Sequence, residues 1–196
     1  MGTPNSEHAR SPSPVTMLSP LVRDVDHWGD KSLAQLISHV FDAYHVPLRK
    51  DLRLLEHLTE SAALSGHPAA RAMLVLANRF AEDARLHMLR EENEIFPRIL
   101  SGQGPRCATI VAALHIDNHQ SCERGRGLRR LAALCAEAVG QSAQNTEAPA
   151  LDPKLMSDLH RLLDRLQIQL AEHHRLEEEE LFPRALSGEA PYGDDD

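Results

Sequence analysis

The sequence predicts an all-α chain folded as an antiparallel up-down-up-down four-helix bundle. Leu, Ala, Glu and Arg dominate its middle, and aromatic residues make up only 4% of the 196; such side chains lose little rotamer freedom in a helix. Apolar residues recur three and four positions apart in four segments separated by turn signals, the pattern of helices packed nearly antiparallel. A stretch of sixteen residues also occurs twice, HMLREENEIFPRILSG at 87–102 and HHRLEEEELFPRALSG at 173–188, with ten positions identical. An internal duplication of this kind relates the second and fourth helices, and the first and third, by a pseudo-twofold axis.

Residues 1–30 are rich in Pro and Ser and lack periodicity, which predicts a tail without a packed core. The folded domain is expected over 31–188, followed by an acidic tail at 189–196. The first helix begins at Ser32, a suitable N-cap, and runs through LAQLISHVFDAYH to Pro47, which either kinks it or opens a new first turn. Phe41, His45, Leu48, Leu52 and Leu55 then step by four and three. The second starts at Pro68, and Met73, Leu76, Phe80, Ala84, His87, Glu91 and Ile95 share its stripe; Pro97 and Ser101-Gly102 mark its end. The third follows Pro105 and reaches about Ala138, its register blurred by Gly125 and Gly127. After a polar loop, QSAQNTEAP, the fourth starts at Asp152-Pro153, with Leu159, Leu163, Leu166, Leu170, His173 and Glu177 on its seam. Short connections between four such helices give the up-down-up-down order.

The formal net charge of −8 speaks against a nucleic-acid surface, which would need clustered Lys and Arg. No apolar run is long enough for a membrane helix. The three cysteines, Cys107, Cys122 and Cys135, form no CxxC pair and suggest neither a disulfide framework nor an iron–sulfur ligand set, so a reduced, cytoplasmic setting is expected. Twelve histidines are more than a helical core requires.

Residues four apart on a helix lie one turn apart on one face. His87 with Glu91, and His173 with Glu177, are such pairs, and both fall on an apolar seam. A buried ionised carboxylate costs several kcal/mol unless a cation compensates it, so the two pairs call for a metal. Imidazole with carboxylate suits iron, manganese or zinc. The repeat suggests two ions, with each Glu bridging them and each ion collecting His nitrogens. The first helix offers His45 and the third offers His115 and His119. His174 with Glu178 also satisfies the spacing, but the register set by Phe182 favours His173 with Glu177, and Glu178, Glu179 and Glu180 read as a solvated face.

The order H…HxxxE…H…HxxxE, with Phe-Pro after each Glu, resembles the hemerythrin HHE family. The phrases DAYHVPLR, HMLREENEIFPRIL and EEELFPRALSG more narrowly resemble the di-iron iron–sulfur cluster repair proteins, also called repair-of-iron-centres proteins, over roughly residues 32–188. The resemblance implies a hemerythrin-like bundle holding two iron ions through His45, His87, Glu91, His119, His173 and Glu177; His119 fits the family spacing better than His115. It implies repair of clusters damaged by oxidative or nitrosative stress, with iron, oxygen or nitric oxide, and damaged iron–sulfur proteins as partners. The alternative it implies is an oxygen or nitric oxide carrier or sensor. A non-enzymatic role is expected, with nitric oxide reductase-like or peroxide-consuming turnover as the enzymatic alternative. Two differences from the pattern stand out. No Cys precedes Cys107, where the repair proteins carry an N-terminal Cys pair, and Asn118 precedes His119, where they carry Glu.

Overall fold

The computed structural model describes residues 28–142 and 151–193; the expected tail up to residue 27, the polar loop at 143–150 and the last three residues lie outside them. Four long helices make up the described chain. Helix α1 spans 33–63 and α2 spans 68–100; α3 is Ala108–Ser142 and α4 spans 153–186. Each packs on its sequence neighbour, and α4 closes back on α1. No helix among the described residues is long and apolar enough to cross a membrane.

Local chemistry sets the helix starts. Ser32 caps α1 in a reciprocal box with Gln35: Gln35 N donates to Ser32 Oγ at 3.3 Å, and Ser32 N donates to Gln35 Oε1 at 3.0 Å. Pro68 and Pro153 stand in first turns, where their missing N–H is no loss. His67 Nδ1 accepts from Ala69 N, and Asp152 Oδ1 accepts from Lys154 N. The duplicated Ser-Gly steps end α2 and α4 alike: Gly102 and Gly188 adopt φ of 72° and 85°, a left-handed conformation that glycine enters without penalty.

Three of the helices share a departure from α geometry. Val40–His45 in α1, Glu91–Ile95 in α2 and Glu177–Leu181 in α4 are π-helical turns. Each leads into a proline, Pro47, Pro97 or Pro183. The residue just before it (Val46, Phe96 or Phe182) donates its N–H to a carbonyl five residues back, on Phe41, Glu91 or Glu177. Proline has no N–H and crowds the carbonyl four residues earlier, so the widened turn relieves a contact that a straight α-helix would force. Helices α1, α2 and α4 thus run through their prolines. This differs from the stop expected at Pro97, and it shifts the stripe of α1: Val40 and His45, five apart, are buried, while Phe41 is 41% exposed.

Two apolar clusters fill the bundle. The larger is built on Leu52, Leu55, Met73, Phe80, Leu128, Leu159 and Leu166. The other gathers Leu36, Val40, Ile95, Phe96, Leu114, Leu181 and Phe182 around the repeat ends. The π-turns also carry the buried polar residues His45, Glu91 and Glu177.

Candidate metal centre

His45 from α1, Glu91 from α2, and His173 with Glu177 from α4 converge at this level. His45, Glu91 and Glu177 are fully buried and His173 is 1% exposed. One ligating atom from each lies within 4.8 Å of the other three. The Nε2 atoms of His45 and His173 face each other at 3.2 Å. Glu91 Oε2 lies 3.2 Å from His45 Nε2, and Glu177 Oε1 lies 2.9 Å from His173 Nε2. His87, 8% exposed, joins from one turn before Glu91, its Nε2 2.7 Å from Glu91 Oε1.

The approaches of imidazole to carboxylate are close, yet they are not hydrogen bonds of good direction. Both carboxylate oxygens of Glu91 and of Glu177, and His87 Nε2, have no hydrogen-bond partner among the described residues. Buried acceptors left in that state cost several kcal/mol. A metal ion with bonds of about 2.1 Å to its donors sets neighbouring donor atoms about 3 Å apart, which is the separation of the two imidazole nitrogens. The residues present therefore fit a cation held by imidazole and carboxylate.

The surrounding side chains fix which nitrogen faces the pocket. His45 Nδ1 lies 2.6 Å from Glu92 Oε1, and Arg49 Nη2 donates to both oxygens of Glu92 at 2.6 Å. With Nδ1 donating outward to Glu92, Nε2 keeps its lone pair for the pocket, the arrangement by which carboxylates orient metal-ligating histidines. The Tyr44 ring stacks on His173 at 5.5 Å, and Phe96 stacks on His45 at 5.9 Å.

A model of the hemerythrin HHE cation binding domain matches residues 36–144, which include His45, His87 and Glu91. The chain belongs to that family. The second HxxxE pair of this HHE protein, on α4, lies beyond the matched stretch and is tied to the first by the duplication. Its relatives include proteins named iron-sulfur cluster repair protein YtfE. That of Dickeya chrysanthemi (strain Ech1591) is 27% identical over 165 residues, covering 83% of this chain and 70% of the relative. That of Pectobacterium carotovorum subsp. carotovorum (strain PC1) is 27% identical over 169 residues, covering 85% and 72%. The Escherichia coli O1:K1 / APEC protein is 24% identical over 165 residues, covering 83% and 70%.

The charges of the HHE site are unevenly set. Burial alone would raise Glu91, but His87, His45 and His173 outweigh it and hold this carboxyl well below the usual range. Glu177 is pushed up, by burial and by the neighbouring Glu91 carboxylate. Burial would lower His173, yet Glu177 and Glu91 carry it up to about 9. Burial works against His87 as well, and Glu91 outweighs it to raise that imidazole. His174 goes the other way, down to about 3, through burial and the nearby His173 and His87; it is a neutral imidazole.

The structure brings together five of the six residues named from the sequence. It separates the sixth: His119 is exposed on α3, and so is His115. The inward face of α3 at this level runs Leu114, Asn118, Ser121, and one residue's rotation of roughly 100° carries His115 and His119 off it. Periodicity left α3 ambiguous because Gly125 and Gly127 blur its stripe. Three residues went unnamed as site residues. Glu92 orients His45. Asn118, 6% exposed, donates from Nδ2 to Glu178 Oε1 at 2.9 Å, so Glu178 belongs to this network rather than purely to a solvated face. His174 is 9% exposed, its ring 5.5 Å from His87 and 5.4 Å from His173. The duplication held the missing signal: Glu92 and Glu178 are equivalent positions and should hold equivalent partners.

Proposed function

We propose that this HHE protein holds two iron ions and serves in the repair of iron–sulfur clusters damaged by oxidative or nitrosative stress. The observation that carries the reading is the set of four buried carboxylate oxygens of Glu91 and Glu177, unpartnered among the described residues and set against the imidazoles of His45, His87 and His173. His45, His87, Glu91, His173 and Glu177 would hold the irons. Bound iron would supply open coordination positions and a redox couple. The protein's own part is to orient the ligands, through Glu92 and Arg49, and to keep water from the site with the apolar clusters on either side. The names of the YtfE relatives support repair as the purpose. In that role iron is also the cargo, given up to a cluster being rebuilt, and the setting is the cytoplasm.

A second reading, an oxygen or nitric oxide carrier or sensor, is favoured by one feature. A cavity of about 100 Å³ is lined by His87, His173 and His174, room for a diatomic molecule beside the centre. The deciding measurement is iron per chain with the optical spectrum, on protein purified without oxygen and then exposed to oxygen or nitric oxide. About two irons per chain, as a repeated imidazole–carboxylate site implies, and transfer of iron to a nitric oxide-damaged iron–sulfur protein are the expected results. A reversible gas spectrum without transfer would favour the carrier. Sustained consumption of nitric oxide with a reductant would make the protein an enzyme. A chain without iron would end all three.

A further inference from the structure

The duplication leaves a gap on one side of the centre. On one side, Glu92 follows the bridging residue Glu91 and lies 2.6 Å from Nδ1 of an α1 histidine, His45, whose other nitrogen faces the pocket. On the other, Glu178 follows Glu177 and accepts from Nδ2 of Asn118 on α3. Asn118 therefore stands in the place that the repeat assigns to a second histidine. Its Oδ1 is buried and has no hydrogen-bond partner among the described residues. An amide side chain is shorter than an imidazole, so this side lacks an imidazole nitrogen at the depth His45 reaches.

His174 lies beside that gap. At 9% exposed its side chain is largely enclosed, and its ring takes part in no hydrogen bond among the described residues. It lines the cavity with His87, Asn118, Ser121 and His173, and Ser121 Oγ is likewise buried and unpartnered. Two imidazoles bound to one ion through bonds of about 2.1 Å hold their ring centres about 5 Å apart. His45 and His173 stand at 4.9 Å, and His87 and His174 at 5.5 Å.

We infer that His174 is a metal ligand: with His87 it forms the seat of the second ion, supplying from α4 the imidazole that Asn118 of α3 does not. This rests on the two-iron reading above. The centre is then asymmetric, with two adjacent histidines of α4 serving different ions.

Metal-free protein titrated with ferrous iron without oxygen tests it, with bound iron counted and 57Fe Mössbauer spectra recorded. Unaltered protein should take up about two irons, His174→Gln about one, and His174→Gln with Asn118→His about two again, the imidazole returning from the other helix. Uptake of two irons by His174→Gln, with unchanged spectra, overturns the inference. Fewer than two irons in the unaltered chain overturns the two-iron reading instead. Should His174→Gln fail to fold, cobalt(II)-loaded unaltered protein decides. Its NMR spectrum should show a strongly shifted exchangeable ring N–H for each of His45, His87, His173 and His174, and absence of the His174 signal overturns the inference.

Discussion

At the scale of single residues, the site sets two buried carboxylates against two kinds of neighbour. Glu91 and Glu177 are wholly enclosed, whereas Glu179, two residues along, is exposed and 3.5 Å from Arg175. Glu91→Ala and Glu177→Ala should each lose iron and lower the melting temperature of the iron-loaded protein, while Glu179→Ala should stay within about 0.5 kcal/mol of the parent. Equal iron content in the three variants would refute the ligand register. Acidity gives a second test. In the metal-free protein His173 is raised from 6.5 to about 9, so its contribution to stability is complete below pH 6.5 and fades as pH rises through about 9. Iron bound through His173, as proposed, would have to displace that proton. Affinity should therefore climb between pH 6.5 and about 9, by up to tenfold per pH unit for one proton released. Anaerobic titrations across this range would read it, and a flat affinity would rule out proton displacement at His173. The candidate site residues of α2 and α4 were legible in the sequence because a buried HxxxE pair is costly without a cation, and it occurs twice. The residues around them were not. Glu92 and Glu178 sit in acidic runs that read as solvated, and nothing in the spacing alone says that Asn118 rather than His119 faces inward.

At the scale of elements, the prolines connect sequence to site. Pro47, Pro97 and Pro183 each follow a widened turn, and His45, Glu91 and Glu177 lie within those turns. Helix α3 has no proline after Ala108, is unbroken α-helix, and contributes no buried histidine. The helices and their starts were legible from caps and periodicity, since Ser32, Pro68 and Asp152-Pro153 act locally. The π-turns were not, because a proline inside a helical pattern is equally compatible with a stop, a kink or a widened turn, and packing decides among them. The consequence is testable. Pro183→Ala restores an N–H and removes the crowding, so the turn at Glu177–Leu181 is free to tighten to α geometry and rotate Glu177. The metal-free variant should be at least as stable as the parent, because alanine is favoured over proline within a helix. Its iron affinity should fall by about tenfold or more, as for loss of ligand orientation. Calorimetry of the metal-free protein and an iron titration would separate the two effects, and unchanged affinity would show that the proline does not hold the ligand in place.

At the scale of the whole molecule, the two copies of the repeat meet where their helices end, and the site depends on that meeting. Arg184, in the last turn of α4, donates to the carbonyl oxygens of Trp28 and Lys31 and so ties the approach to α1 against the repeat end. The turn that leads into α3, Gly104–Cys107, lies against the same end: a Cβ on Gly104 would fall 2.2 Å from the Ala185 carbonyl oxygen. Backbone sits on both sides of that contact, so no side chain can swing away to make room. Gly104→Ala should thus force α4 and the α3 entrance apart, at a cost of about 1–3 kcal/mol. For a chain of this length that is a fall of roughly 2–12 °C in melting temperature. Cys107 and Ala185 belong to the apolar cluster beside the centre rather than to the ligand set, so iron per chain should not change. Saturating iron should raise the melting temperatures of variant and parent together, since a ligand that binds only the folded state stabilises both by mass action. Scanning calorimetry with and without iron would measure both shifts. A variant that melts with the parent would mean that the two repeat ends are free to move apart, and that the site is held by its own helices rather than by the closure of the bundle.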